Sequence, residues 1–516
     1  MAQGREQSLP ITGFKGLDKS APVPNDGFTR SLLNVQVRDQ AVWGRGGVDF
    51  DSTFSAAVSE ATLNTGAYVT TALATTLLRI GATKVFKSTG PTITWTDITG
   101  TALGGATGDK PQWCMFRENF YFVNDGKDYP RSWTGSGNTA AIASSTAPKS
   151  KGIMSYYGYL FLLNIYDTAT AAFATRRAQY SNTPDTDWTA CAANLLNFNE
   201  TRGAVVAGCP WGEAALIFKE DAIVTLRWVG GQVRFTQKLI QGALGTKSPL
   251  TIQPCGDKGI IYLTENYELH IADATKAAPL PPNVNKILKE NLYKANVANC
   301  RSMVLQDRQI YSLFFPLSNA FNAGRIDYNY RTGEFTYSTY ASHAWGSVIP
   351  VRWTSTAEET PVGTVSTQSY SFDTAAKVDN ISSSTSAIPS RYYDTDWVQY
   401  ANQNEGRAVQ TASQFTGATL VFEALPNTQC AISVATDHQQ RFRYRKVYNL
   451  RAVRPGDEYV EVRFDVQPIQ CEWVNVRIEF LPNTTATPKL RSGALHFIPK
   501  AEHRDVRRSA ATTGTY

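Results

Sequence analysis

The chain has 516 residues, too many for one ordinary core, so two or three domains are expected. Hydrophobic residues make up 42% and charged residues only 18%, which excludes a disordered chain and favours packed cores. The formal net charge of +6 is modest for this length and does not by itself point to nucleic acid.

The opening, Met1 to Pro10, is polar and lacks an apolar h-region, so no signal peptide is expected. No stretch has the roughly 18 uninterrupted apolar residues of a spanning helix, so no membrane insertion is expected. Thr, Tyr, Phe and Trp are abundant, and these residues favour pleated, half-buried surfaces.

From residue 77 a short apolar run recurs between turn residues. Leu77–Ile80 comes first, then Asn119–Val123, Tyr159–Leu163, Ala214–Phe218, Gly259–Leu263 and Gln309–Phe315. Most are followed by a second run across a short polar turn, the hairpin signal. Equivalent points at Leu78, Phe120, Tyr159, Ala215, Ile260 and Ile310 lie 42, 39, 56, 45 and 50 residues apart. Propeller blades repeat at roughly 40–50 residues. Ala344 to Asp373 supplies material for a seventh unit. No WD or kelch consensus accompanies the spacing, and an array of β-sandwiches remains the alternative. Radial packing is attractive because it leaves only short sheet edges.

One short helix is predicted over Val284–Leu292, after Pro281-Pro282. A Ser-rich break at Asp379–Ala387 separates a region of alternating strands, including Ala418–Phe422, Tyr459–Phe464 and Val474–Phe480. The expected fold class is all-β: an irregular β-propeller of about six to seven blades with an additional C-terminal β-sandwich-like domain. The expected division is an N-terminal arm with first strands over 1–50, a propeller over 51–378, a sandwich-like domain over 388–500 and a flexible tail over 501–516.

Chemical motifs are sparse. The seven cysteines are scattered without a C-x-x-C pair, the five histidines show no metal-ligand spacing, and no G-x-S-x-G or H-E-x-x-H occurs. The cysteines are expected to be buried small apolar groups. Gly242–Ser248 has the wrong spacing for a phosphate loop and reads as a turn. Asp437-His438 reads as a surface turn. Two D-x-D-W turns, Asp185–Trp188 and Asp394–Trp397, favour strand-opening turns over paired glycosidase carboxylates or a calcium site. No catalytic, cofactor or metal residues are assigned, and no cofactor is expected. One charged segment stands out: Arg441, Arg443 and Arg445 alternate with Phe442 and Tyr444, and Lys446 follows. On a regular strand the three arginines share one face. They suit a channel passing DNA by phosphate attraction, a subunit interface, or a solvated edge strand.

Finally, the order of several short motifs resembles a known group. These are Gly13–Leu17, Pro22-Val23-Pro24, Leu33-Asn34-Val35 and Trp43–Gly47, then Tyr157–Leu162, Gln179–Asn182, Ala207–Gly212, Leu216–Lys219 and Arg325–Phe335. The resemblance is to the hub or nozzle β-propeller proteins of bacteriophage tails, of the tail tubular protein B and packaged-DNA stabilisation types. It runs diffusely over residues 11 to 340. It implies a non-enzymatic virion protein, assembled in the host cytoplasm as a homo-oligomeric ring, commonly a hexamer. Its implied partners are an adaptor or head-to-tail connector above, tail fibre or needle proteins, and double-stranded DNA passing without sequence specificity. The competing expectation is a carbohydrate-binding or glycan-cleaving propeller, based on exposed Trp and paired Asp.

Overall fold

A computed structural model of the chain describes residues 7–11, 16–17, 28–29, 32–38, 41–44, 47–49, 58–70, 75–89, 94–142, 147–182, 188, 191–231, 233–318, 321–340, 345–353, 359–374, 379–380, 386–387, 392–394, 398–399, 413–425, 427–437, 441–451, 457–471, 473–481 and 488–499. The six recurrent apolar runs become strands of the same kind. Each is the second strand of a four-stranded antiparallel unit, as in Thr75–Ile80, Asn119–Val123, Tyr159–Asp167, Ala214–Lys219, Ile260–Leu263 and Ile310–Ser318. Their residues are almost uniformly buried, because each sheet is covered on both faces by its neighbours. Burial on both faces turns a strand's alternating pattern into a continuous apolar run.

Among the described residues these units form seven blades. The first strand of each is Asn64–Val69, Gln112–Phe116, Ser150–Tyr156, Val205–Trp211, Gln253–Pro254, Arg301–Leu305 and Trp345–Val351. These seven touch one another in chain order, and the last touches the first, so the ring is closed. The approach is tight. A Cβ built on Gly66 would lie 2.5 Å from Phe120 of the next blade, and one on Gly208 would lie 2.4 Å from Met154 of the blade before.

Blade 7 takes only three strands from the expected region: Trp345–Val351, Thr360–Val365 and Gln368–Thr374. Its fourth is Gly47–Asp49, which pairs antiparallel through Ser371↔Asp49, Phe372↔Val48 and Thr374↔Gly47. The Ser-rich break is not a free linker. Asp379–Asn380 pairs with Ser386–Ala387, and Asp379 also lies beside Val48.

The remaining strands make a two-sheet sandwich. One sheet runs Tyr459–Cys471, Ser413–Glu423, Lys489–Pro499, Ala41–Gly44, Val35–Arg38, with Gln7–Ile11 also on Lys489–Pro499. The other runs Leu32–Leu33, Tyr392–Asp394, Trp473–Phe480, Gln429–Thr436, Arg443–Asn449, with Val398–Gln399 also on Trp473–Phe480. Residues 7–11, 16–17, 32–38, 41–44 and 47–49 do not form a unit of their own. Their strands complete both sandwich sheets, extend blade 6 at Gly16–Leu17 and close blade 7. In chain terms the propeller is inserted into the sandwich. The tail over 501–516 lies outside the described residues.

The helix α1 (Pro282–Asn291) begins two residues before the predicted start, with Pro281 at its N-cap. Its buried Val284, Ile287 and Leu288 join one continuous core from blades 5 and 6 into both sandwich sheets. Asn34 ties these parts. It sits at φ +53° between Leu32–Leu33 of one sandwich sheet and Val35–Arg38 of the other. Its N–H donates to Tyr337 O at 3.3 Å, and its Oδ1 accepts from Thr339 N–H at 2.9 Å, both at the outer strand of blade 6. Asn tolerates this left-handed backbone better than most residues.

The seam between blades 7 and 1 has its own clamp. Arg79, buried on the second strand of blade 1, donates to Thr62 Oγ1 at 2.5 Å, Thr367 O and Ser369 Oγ at 3.1 Å, and Ser366 O at 3.2 Å. Burial pushes its guanidinium down to about 9. Thr65 Oγ1 and Ser347 Oγ meet at 2.5 Å across the same seam.

Two stability predictions follow from these ties. Arg79→Leu strands several buried acceptors, so a loss of about 3 kcal/mol is expected by chemical denaturation. A loss below about 1 kcal/mol would show that the clamp is dispensable. Asn34→Ala removes the hydrogen bond to Thr339 N–H and strains the backbone, for an expected loss of about 1–3 kcal/mol. Asn34→Gly should lose less, because only the backbone strain is relieved.

Candidate functional site

The seven first strands enclose an axial cavity of about 530 Å³. Its wall is mixed: Gln112, Trp113, Cys114 and Met115 from blade 2, Met154 from blade 3, Cys209 and Pro210 from blade 4, and Val348 and Ile349 from blade 7. Among the described residues, its charged lining residues are Arg301 and Glu359. Both are already committed. Arg301 donates to Gly346 O at 3.0 Å, Asn299 O at 2.9 Å, Cys300 O at 3.1 Å, and more distantly to Ala298 O and Leu63 O. Burial pushes it down to about 10, still well above neutrality, so it stays charged. Glu359 accepts from Asp307 N–H at 3.1 Å, and Asp307 accepts from Glu359 N–H at 3.1 Å. Arg352 bonds Asp307 in the same clasp.

Lys110 stands beside Arg301, near the start of the blade 2 strand. Its Nζ donates to Asn299 Oδ1 at 2.7 Å and Gly108 O at 3.0 Å. Burial, with the nearby Arg301 charge, lowers it to about 8. Burial disfavours the thiolate form of the thiols in the lining. Burial raises Cys114 strongly and pushes Cys209 up to about 12. All seven cysteines are unpaired, and six are buried. Among the described residues no three His, Cys, Asp or Glu side chains converge as a metal site.

The predicted cationic segment lies elsewhere, on the sandwich. Arg443–Asn449 is a terminal strand of its sheet, and Arg441, Arg443, Arg445 and Lys446 are all exposed. Regular alternation does not hold. Arg443 faces Val434 and Lys446 faces Ile432, so Tyr444 and Arg445 together stand opposite Ser433. Tyr444, at φ +57°, makes the bulge. The extra residue moves Arg445 off the side that Arg443 occupies and puts Lys446 there instead. Arg445 turns to Glu479, with Nη2 and Nε at 3.0 and 3.2 Å from Oε2. Lys446 reaches Asp465 O at 2.5 Å. Phe442 lies under Arg477, 4.1 Å from its Cζ to the ring centroid. Arg441 and Arg443 meet no acceptor among the described residues.

The saccharide expectation loses one of its supports. Trp188 is 2% exposed and belongs to the core between blades 2 and 3, so it offers no stacking face. Asp185, Asp187, Asp396 and Trp397 lie outside the described residues, and Asp394 is a strand residue pairing Arg477. Asp437 accepts from Trp473 N–H at 3.1 Å in a turn at φ +50°, while His438 lies outside the described residues. Gly242, at φ +72°, opens a turn leading to a 3-10 helix over Pro249–Thr251. The cavity's charged groups escaped sequence reasoning. Only an arginine within an apolar run, as at Leu77-Leu78-Arg79-Ile80, hinted that cations are buried here.

No protein-family model matches this chain, and no curated protein sequence matches it. Among solved structures the chain is similar to PorZ, an essential bacterial surface component of the type-IX secretion system of Porphyromonas gingivalis, at 9% identity and a TM-score of 0.36. That match covers 79% of this chain and 46% of PorZ, so the chain spans about half the length of that relative. It is also similar to the WD40 domain of Neurospora crassa Pan2, at 9% identity and a TM-score of 0.36, covering 61% of this chain and 94% of that one. The propeller assignment rests on the strand pairing itself.

Lys110 gives a pH test. Its folded pKa lies below the ordinary lysine value, so the unfolded chain binds more protons between about pH 8 and 10.5. Stability attributable to this residue therefore rises with pH through that window. Relative to Lys110→Met, the wild-type protein should gain stability between about pH 7.5 and about pH 10 in paired urea titrations. A constant difference would place Lys110 in water.

Proposed function

We propose that this protein is a structural component of a phage tail, forming a homo-oligomeric ring that continues or gates the DNA exit channel. The supporting observation is the exposed cationic strand on the sandwich edge, where Arg441 and Arg443 have no acceptor among the described residues. Unneutralised guanidinium groups in a row attract a phosphate backbone without reading sequence. The body that carries them is suited to packing in a ring. One stretch of chain completes the sandwich and closes the propeller, and a shared core joins the two. Such a body presents preformed surfaces to neighbours above and beside it. An adaptor ring and tail fibres are the partners this reading calls for.

The bulge divides the roles within the segment. Arg445 and Lys446 are spent on Glu479 and a carbonyl, so Arg441 and Arg443 are the cations that face DNA or a neighbouring subunit. Particles carrying Arg441→Ser and Arg443→Ser should assemble normally and leak DNA, measured by electron microscopy and nuclease sensitivity. Failed ring assembly would make the pair an interface instead. A purified protein that stays monomeric and is absent from virions would overturn the ring reading altogether.

A further inference from the structure

At the tips of blades 3 and 4 lies a feature that neither the axial cavity nor the cationic strand uses. Tyr157 and Gly158 form the two-residue turn between Ser150–Tyr156 and Tyr159–Asp167, at φ +49° and +78°. That turn holds the Tyr157 side chain outward, 57% exposed. Its ring lies nearly parallel to the Trp228 indole, with centroids 4.8 Å apart and planes at 22°. Trp228 ends the strand Ile223–Trp228. The loop that follows is closed by Val229 N–H on Arg234 O at 3.0 Å and passes through Gly230 and Gly231 at φ +76° and +72°. A Cβ on Gly158 or Gly231 would meet nothing within 4 Å, so both turns are open at these positions.

Beside this ledge Arg234 lies over two aromatic faces, 5.6 Å from the Tyr159 centroid and 6.0 Å from that of Tyr180. Its side chain has no carboxylate and no acceptor among the described residues, and its Nη1 is shielded from solvent. Trp228 Nε1–H likewise meets no acceptor among them. A guanidinium positioned by ring faces and left without an anion is a ready partner for a carboxylate.

We infer that Tyr157, Trp228 and Arg234 form a binding site for an acidic saccharide, a pyranose ring bearing a carboxylate. The outer face of the Tyr157 ring, backed by Trp228, takes the apolar C–H face of the sugar, and Arg234 takes its carboxylate. The indole N–H donates to a hydroxyl. An extended acidic peptide fits less well. Peptides dock on exposed strand edges or in grooves, and these hairpin tips close their own backbone groups. This site is independent of the ring reading, and either stands if the other fails.

The test uses the full chain with galacturonate and sialic acid oligosaccharides, their carboxyl-reduced counterparts, and poly-glutamate, measured by titration calorimetry. Sub-millimolar binding of an acidic oligosaccharide is expected, weakened about tenfold or more by carboxyl reduction. Arg234→Leu and Tyr157→Asn should each weaken it by a similar factor at unchanged melting temperature. Asn suits the left-handed turn, so Tyr157→Asn decides the matter should Arg234→Leu misfold. Absence of binding at about 1 mM, equal binding of the carboxyl-reduced sugar, or equal binding of poly-glutamate would each overturn the proposal.

Discussion

Three backbone pairs between Gly47–Asp49 and Gln368–Thr374 carry the architecture. A ring of blades has two ends that must be joined, and an open seam would expose a sheet edge and the apolar faces of two blades. Here the closing strand arrives from the beginning of the chain. The same stretch of chain has already entered both sandwich sheets through Leu32–Leu33, Val35–Arg38 and Ala41–Gly44. The seam therefore cannot open independently of the sandwich. Arg79 reinforces it from the blade 1 side, reaching carbonyls and hydroxyls of the blade 7 hairpin.

The treatment of charge follows the same logic. Arg79 and Arg301 are deeply buried and are satisfied by carbonyl and hydroxyl oxygens rather than by carboxylates. Dipolar acceptors let a cation be buried without a matching anion, provided several converge on it. In blade 6 the opposite solution appears. Arg325 Nε sits 2.7 Å from Asp327 Oδ1, with Tyr340 and Ser312 filling out the set. Both arrangements fix the geometry of neighbouring strands, and the charged groups among the described residues of the axial cavity's lining are committed to partners. Among the described residues, Arg441 and Arg443 on the sandwich edge and Arg234 at the tips of blades 3 and 4 remain available to a partner.

Much of the fold was legible in the sequence, for a definite reason. The second strand of each blade is buried on both faces, so Tyr159–Leu163 or Ala214–Phe218 stands out as an unbroken apolar run at blade spacing. First strands were not legible. They have one side on the cavity and pass close to their neighbours, so glycine and small polar residues interrupt them, as at Gly66 and Gly208. The closing strand was invisible because three residues carry no periodicity, and its partner lies more than three hundred residues away. The cationic segment was legible in composition but not in facing. A bulge is set by one backbone angle, at Tyr444, which the alternation of Arg with aromatic residues conceals. The Tyr157, Trp228 and Arg234 grouping joins two blades, and no local pattern announces such a meeting.

The insertion of the propeller within the sandwich has a consequence for biosynthesis. Gln7 pairs with Phe497, so this strand finds its partner only after every blade of the propeller has been made. At roughly 5–20 residues per second, that strand waits on the order of a minute. During this interval six blades can form their local hairpins, but the seventh gains its last strand only if the early segment has stayed unengaged. Contacts of such long sequence separation are slow to form and costly in loop entropy. The ring of blades thus stays an unsealed crescent until its last blade has been made.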